Sequence, residues 1–220
     1  DYAILGNHEF DFGYDRLRDV LSNAKFKVLC ADIFDDGKTI YDATAIWKKG
    51  SLRIGFVGLS TPETQTKATP KITEGLTFVA TDELYDVAQK AVDSLQKKTD
   101  VVICLTHLGI YDESIGNRSI DVMNHVTGID MMVDGHSHTV MTEGPNGETI
   151  QSTGTKFENI GIIVIDNKTK TIENHYLLAL DDIETADQTL LDKAQEVKDR
   201  VDALYASPFA QSKVFLPGDK

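Results

Sequence analysis

The chain has 220 residues and a formal charge of −13, from 22 basic and 35 acidic residues. With 41% hydrophobic and 26% charged residues, its make-up is that of a globular protein, which excludes a disordered chain, a collagen and a coiled coil. Acidity without a Lys/Arg cluster argues against nucleic acid and anionic membrane as partners. An anionic substrate stays open, because a bound metal reverses the local sign of charge.

The predicted elements alternate at first. Tyr2 to Leu5 reads as a strand, Gly6 to Gly13 as a loop, and Tyr14 to Asn23 as a helix with Tyr14, Leu17, Val20 and Leu21 on one face. Phe26 to Ala31 is a second strand. Ile40 to Trp47 and Leu52 to Leu59 form a hairpin through Lys49-Gly50. Residues 60–75 read as a long surface loop. Leu84, Val87, Ala88, Ala91, Val92 and Leu95 make a helix face behind an N-cap signal at Thr81. Asp100 to Thr106 is a buried strand ending at His107, Asp112 to His125 contains a helix, and Ile129 to Val133 is a buried strand ending at Asp134-Gly-His-Ser-His. Three strands follow, at Thr149 to Ser152, Ile160 to Asp166 and Lys170 to Leu180. Asp187 to Tyr205 is an amphipathic helix. No run approaches the ~20 apolar residues of a membrane helix. Cys30 and Cys104, each within a strand, read as buried free thiols.

Three of these strands run into polar loops with metal-ligand side chains: Ala3-Ile-Leu-Gly-Asn-His-Glu, Val102-Ile-Cys-Leu-Thr-His-Leu-Gly and Met131-Met-Val-Asp-Gly-His-Ser-His. Strands hold such tips rigidly, and open α/β sheets place ligands at the carboxyl ends of their strands. Imidazole with amide or carboxylate oxygen suits Zn, Mn, Fe or Mg. Other metal and nucleotide motifs fail. His136-Ser-His138 is followed by Val140 where His-x-His-x-Asp needs an acid, and His-Glu-x-x-His, Gly-x-Ser-x-Gly and the P-loop are absent.

Gly6-Asn-His-Glu-Phe-Asp, Leu105-Thr-His-Leu-Gly and Gly135-His-Ser-His resemble, in order, three signature blocks of the calcineurin-like metallophosphoesterases, and within them the 5′-nucleotidase branch. Val28-Leu-Cys-Ala-Asp-Ile and Gln151-Ser-Thr-Gly resemble further segments of that branch, over about residues 1–180. The resemblance implies an α/β fold, a four-layer αββα sandwich, here lacking its first strand–helix–strand unit. It implies two divalent cations, with Asn7, His107 and His136 binding the second and His138 the first. It also implies hydrolysis of phosphate esters, chiefly nucleoside 5′-phosphates, by a metal-activated hydroxide. His8 stays off the metals and acts as general acid, held and kept protonated by Asp11. Related 2′,3′-cyclic-nucleotide phosphodiesterases often carry Asn at the position of Asp11, which tilts the reading toward 5′-nucleotidase.

The family's Asp-x-His and Gly-Asp strand ends, which complete the first metal and the bridge, lie upstream of Gly-Asn-His-Glu, and the five residues before Gly6 do not contain them. The chain therefore reads as a truncated catalytic domain over residues 1–180. Residues 181–220 then form a helix and linker toward a nucleotide-specificity domain. Alone, it is expected to have little or no activity, and a noncatalytic fragment binding one metal is the alternative. The resemblance implies a small phosphate-ester partner and a site of action outside the cytoplasm.

Overall fold

A computed structural model describes residues 1–67, 70–180 and 187–206, with 208 and 214. It divides into two compact units, Asp1–Leu180 and Asp181–Lys220. In the first unit the chain forms β1 (Tyr2–Ile4), a 3-10 turn (Asn7–Phe10), α1 (Tyr14–Leu21), β2 (Lys27–Leu29), β3 (Ile33–Asp35), β4 (Lys38–Thr39), β5 (Thr44–Lys49), β6 (Leu52–Ser60) and α2 (Glu63–Lys67). It continues through β7 (Leu76–Phe78), α3 (Asp82–Gln96), β8 (Val101–His107), α4 (Ser119–His125), β9 (Met131–Asp134), β10 (Val140–Met141), β11 (Ile150–Thr153), β12 (Asn159–Ile165) and β13 (Ile172–Ala179).

The central sheet has six strands in the order β10-β11-β9-β8-β6-β5. Its inner four are parallel, and the edge strands β5 and β10 pair antiparallel. Parallel strands covered on both faces are apolar throughout rather than alternating, and β8 shows this, with Val101, Val102, Ile103 and Cys104 all buried. On one face α3 packs Leu84, Ala88, Ala91, Val92 and Leu95 against Val57, Leu59, Val102, Cys104 and Met132. This is the 3.6-residue stripe visible in the sequence, and full burial of each large aliphatic side chain contributes roughly 1.5–3 kcal/mol.

The other face carries Leu52, Ile54, Val101 and Ile103 against Ile163, Ile165 and Ile172 of the β12–β13 hairpin. The parallel pair β1–β2 lies on this side too, with the Tyr2 ring 4.8 Å from Phe56. Leu17 of α1 then packs on Leu5, Val28 and Cys30, beside Phe10 and the small β4-β3-β7 sheet. The layers are α3 and α4, the six-stranded sheet, the two strand pairs, and α1. This is the α/β sandwich expected from the sequence.

Gly58 marks the closest approach between layers. A Cβ there would lie 2.4 Å from the carbonyl oxygen of Leu29, so β2 can cross β6 only over a glycine. Both cysteines are free and buried, and burial pushes the Cys104 thiol up to about 12.

The structure corrects two expectations. Residues 60–75 are not a plain surface loop: they contain α2 and a short 3-10 turn, with Thr61, Thr64 and Thr73 buried. Thr81 precedes α3, but its side chain accepts no capping hydrogen bond. Its φ is +51°, and its N–H instead donates to Asn117 Oδ1 at 2.8 Å. In the second unit, α5 (Gln188–Tyr205) starts at the N-cap Asp187, whose carboxylate accepts from Leu190 N–H at 3.2 Å. Among the described residues no helix is long and apolar enough to cross a membrane.

Candidate active site

Parallel pairing sets the site. Register aligns Ser60 with His107 and Leu105 with Val133, so β6, β8 and β9 end together. The chain leaving β1 at Leu5 joins them, because Ser60 Oγ donates to the Leu5 carbonyl. Asn7, His107 and His136 thus come from three strand ends that are far apart in sequence.

Asn7 Oδ1 lies 3.1 Å from His107 Nε2, across 100 residues of chain. The His107 and His136 ring centroids are 5.1 Å apart. His107 is wedged between glycines. A Cβ on Gly6 would sit 2.8 Å from its ring and one on Gly135 3.1 Å from Nδ1. The glycines of Gly-Asn-His-Glu and Asp-Gly-His-Ser-His are therefore required by the imidazole they enclose. Burial, followed by the neighbouring rings of His136, His8 and His138, pushes His107 down to about 4. At neutral pH the ring is uncharged, the form that ligates a cation.

His136 and His138 both have left-handed backbone, with φ of +74° and +53°. Side chains other than glycine adopt this region at a cost, and such residues cluster at functional sites. His138 is exposed, and among the described residues no hydrogen bond or ring contact joins it to the other three. It is close enough to His107 to be the least of the groups that lower that ring's pKa.

No hydrogen bond or ring contact among the described residues joins His8 to these side chains. His8 is 80% exposed, and its Nδ1 lies 2.9 Å from Asp11 Oδ2. The pair is three residues apart in one 3-10 turn, which places both side chains on the same side. Glu9 between them is structural. Its carboxylate accepts from Gly6 N–H at 2.7 Å, which satisfies the donor at the start of the turn.

Two acids were not singled out by sequence reasoning. Asp134, buried at the end of β9, accepts from Thr106 Oγ1 at 2.8 Å, Leu108 N–H at 3.0 Å and Gly109 N–H at 3.2 Å. It ties the loop after His107 to the strand that leads into His136. Burial raises its pKa, opposed by the bonds it accepts and by Ser119 beside it. A buried carboxylate directly before Gly-His was the available signal. Glu63, at the start of α2, meets His136 Nε2 at 3.2 Å across 73 residues. It also accepts from Lys67 Nζ at 2.6 Å and from Ser114 Oγ. Burial opposes its ionisation, but these bonds outweigh burial and hold it down to about 2. No local pattern announces it.

The donor chemistry suits divalent cations: a neutral imidazole, an amide oxygen and further imidazoles at one sheet edge. Among the described residues no three His, Cys, Asp or Glu side chains stand close enough to hold an ion by themselves. Any site on this chain therefore needs the amide of Asn7 or donors from elsewhere.

The model of the calcineurin-like phosphoesterase family matches residues 1–140. A 5′-nucleotidase of Vibrio cholerae is 33% identical over 159 residues, covering 66% of this chain and 28% of that protein. A 2′,3′-cyclic-nucleotide 2′-phosphodiesterase/3′-nucleotidase of Yersinia enterocolitica is 29% identical over 157 residues, covering 64% and 24%. The solved calcineurin-like phosphoesterase YfkN of Bacillus subtilis superposes with a TM-score of 0.76 at 19% identity, over 94% of this chain and 72% of that one. The chain spans about a quarter of the length of the two curated relatives. With three strand-end blocks in family order and a family model over most of its length, the chain belongs to the calcineurin-like phosphoesterases.

Proposed function

We propose that this chain carries the metal-binding and proton-donating parts of a phosphate-ester hydrolase acting on nucleoside 5′-phosphates. The observation that carries the reading is the meeting of Asn7, His107 and His136 beside a separate His8–Asp11 pair. Divalent cations bound at such a centre polarise phosphoryl oxygens and lower the pKa of a water. Asn7, His107 and His136 would hold one cation and His138 would contribute to the other. Asp11 accepts from Nδ1 of His8 and leaves Nε2 free to deliver a proton to the leaving ester oxygen. Its exposure suits that task, since the proton must reach a substrate arriving from solvent.

On this reading residues 1–180 are the catalytic domain. Residues 181–220 lead toward a segment that selects the nucleotide, and the protein works outside the cytoplasm. The metal identity is Zn, Mn, Fe or Mg. The Yersinia relative supports a second reading, hydrolysis of 2′,3′-cyclic nucleotides.

The test is phosphate release from AMP and from 2′,3′-cyclic AMP by the protein that bears this chain, with Mn²⁺ and after chelation. Metal-dependent release that disappears in His107→Ala supports the proposal, and the preferred substrate separates the two readings. Release that survives both chelation and His107→Ala contradicts it.

A further inference from the structure

We infer that Glu63 is a positioning residue for the candidate metal centre: its carboxylate fixes the ring and tautomer of His136, so that Nδ1 is the nitrogen offered to a cation. The inference rests on reading His136 as a ligand, as proposed above.

The chain leaves β6 at Ser60 and turns at once into α2. Thr61 organises the turn, with its Oγ1 accepting from Glu63 N–H at 3.3 Å and its carbonyl from Thr64 Oγ1 at 2.9 Å. Glu63 therefore starts from an ordered backbone, and its side chain is only 12% exposed. Three groups hold its carboxylate: Lys67 Nζ at 2.6 Å, Ser114 Oγ, and His136 Nε2 at 3.2 Å. A carboxylate tethered in this way has one orientation toward the imidazole.

An ionised carboxylate only accepts hydrogen bonds, so the nitrogen facing it must carry the proton. In a neutral imidazole the lone pair is then on Nδ1. The ring is bracketed as well. The Tyr111 ring meets it edge-on at 5.8 Å, and the His107 ring lies 5.1 Å away. The His136 side chain is itself only 9% exposed. Metal-ligating histidines generally donate their other N–H to a carboxylate or carbonyl, which orients the ring and raises its basicity. Anchoring α2 to Ser114 alone would require nothing of the imidazole.

The test reads the contact without a metal. In the ¹⁵N-labelled, metal-free chain at pH 8, two-bond ¹H–¹⁵N spectra report the tautomer of each histidine, with His136→Ala giving the assignment. Wild type is expected to show His136 as the Nε2–H tautomer. Glu63→Gln, nearly isosteric, should shift it to a mixture, and Glu63→Met, which has no acceptor, should shift it further. Chelator competition with Zn²⁺ should show affinity falling about 10–100-fold in Glu63→Met and less in Glu63→Gln. Ser114→Ala, which removes one tether and keeps the acceptor, should change both readouts less than Glu63→Met does.

An unchanged tautomer in Glu63→Gln and Glu63→Met overturns the inference, as does equal Zn²⁺ affinity in wild type and both variants. A tautomer that shifts in a chain binding no Zn²⁺ in any form upholds the contact and overturns the ligand reading of His136. Unfolding midpoints identify any variant that fails to fold, and Glu63→Gln keeps the test decisive if Glu63→Met does.

Discussion

On the proposed function His107 and His8 belong to one site, a ligand and a proton donor, and the structure holds them in opposite ways. His107 ends a buried parallel strand, is enclosed by Gly6 and Gly135, and has its loop fastened by the Asp134 carboxylate. His8 stands in solvent on a single 3-10 turn, with one carboxylate three residues away. A ligand must wait where a cation will sit, and rigid neighbours achieve that before the cation arrives. A proton donor must meet a substrate, and a local pair on an exposed turn suffices. Substitutions in the two halves should therefore differ in kind, with stability and metal binding failing together in one and chemistry failing alone in the other.

Asp134→Leu tests the buried half hardest. It leaves the N–H groups of Leu108 and Gly109 without their acceptor, and the Thr106 hydroxyl with only the Val133 carbonyl 3.4 Å away. At ~1–3 kcal/mol per unsatisfied buried group, a loss of about 3 kcal/mol or more is expected in denaturant unfolding. His8→Ala is the counterpart. Phosphate release by the parent protein should fall about 100- to 10,000-fold, while unfolding changes by less than about 0.5 kcal/mol. Comparable loss of stability in both variants would erase the distinction.

Gly6→Ala should cost about 1–3 kcal/mol, the range for overpacking. It should also displace His107, seen as a changed ring chemical shift, because the new Cβ would sit 2.8 Å from that ring.

A further effect, spread over a pH range, concerns Asp32, which accepts from Ser60 N–H at 2.7 Å. Burial raises this carboxyl from 3.8 to about 7, against the bonds it accepts. The folded state thus holds the proton more tightly than the unfolded state. The contribution to stability is greatest below about pH 3.8, shrinks as pH rises toward 7, and levels off above it. The slope is at most about 1.4 kcal/mol per pH unit. Asp32→Asn should flatten the stability of the chain over that window. An unchanged slope would show that Asp32 is ionised throughout.

Where the determinants were local, the sequence displayed them. The α3 stripe, the continuous apolar runs of β8 and β9, and the polar tips after them are all local patterns, and they gave both the layers and the histidines. The His8–Asp11 pair came from the resemblance of Gly6-Asn-His-Glu-Phe-Asp to a family block rather than from spacing, since the turn that joins them read as a loop. Glu63 was not legible, because its partner lies 73 residues away and its helix is one turn long inside a Thr-rich stretch without periodicity. The strands β3, β4 and β7 were missed because two or three residues carry too little alternation to register. Thr81 looked like a cap by residue type, but its φ of +51° answers to Asn117 rather than to the helix it precedes. Tertiary partners decided each of these.

The claim that three strand ends converge on a cation is tested most directly by elemental analysis of the chain purified without a metal-binding tag. The account predicts a tightly held divalent metal that disappears in His107→Ala. A chain that holds no metal, or that holds the same amount after His107→Ala, would contradict it.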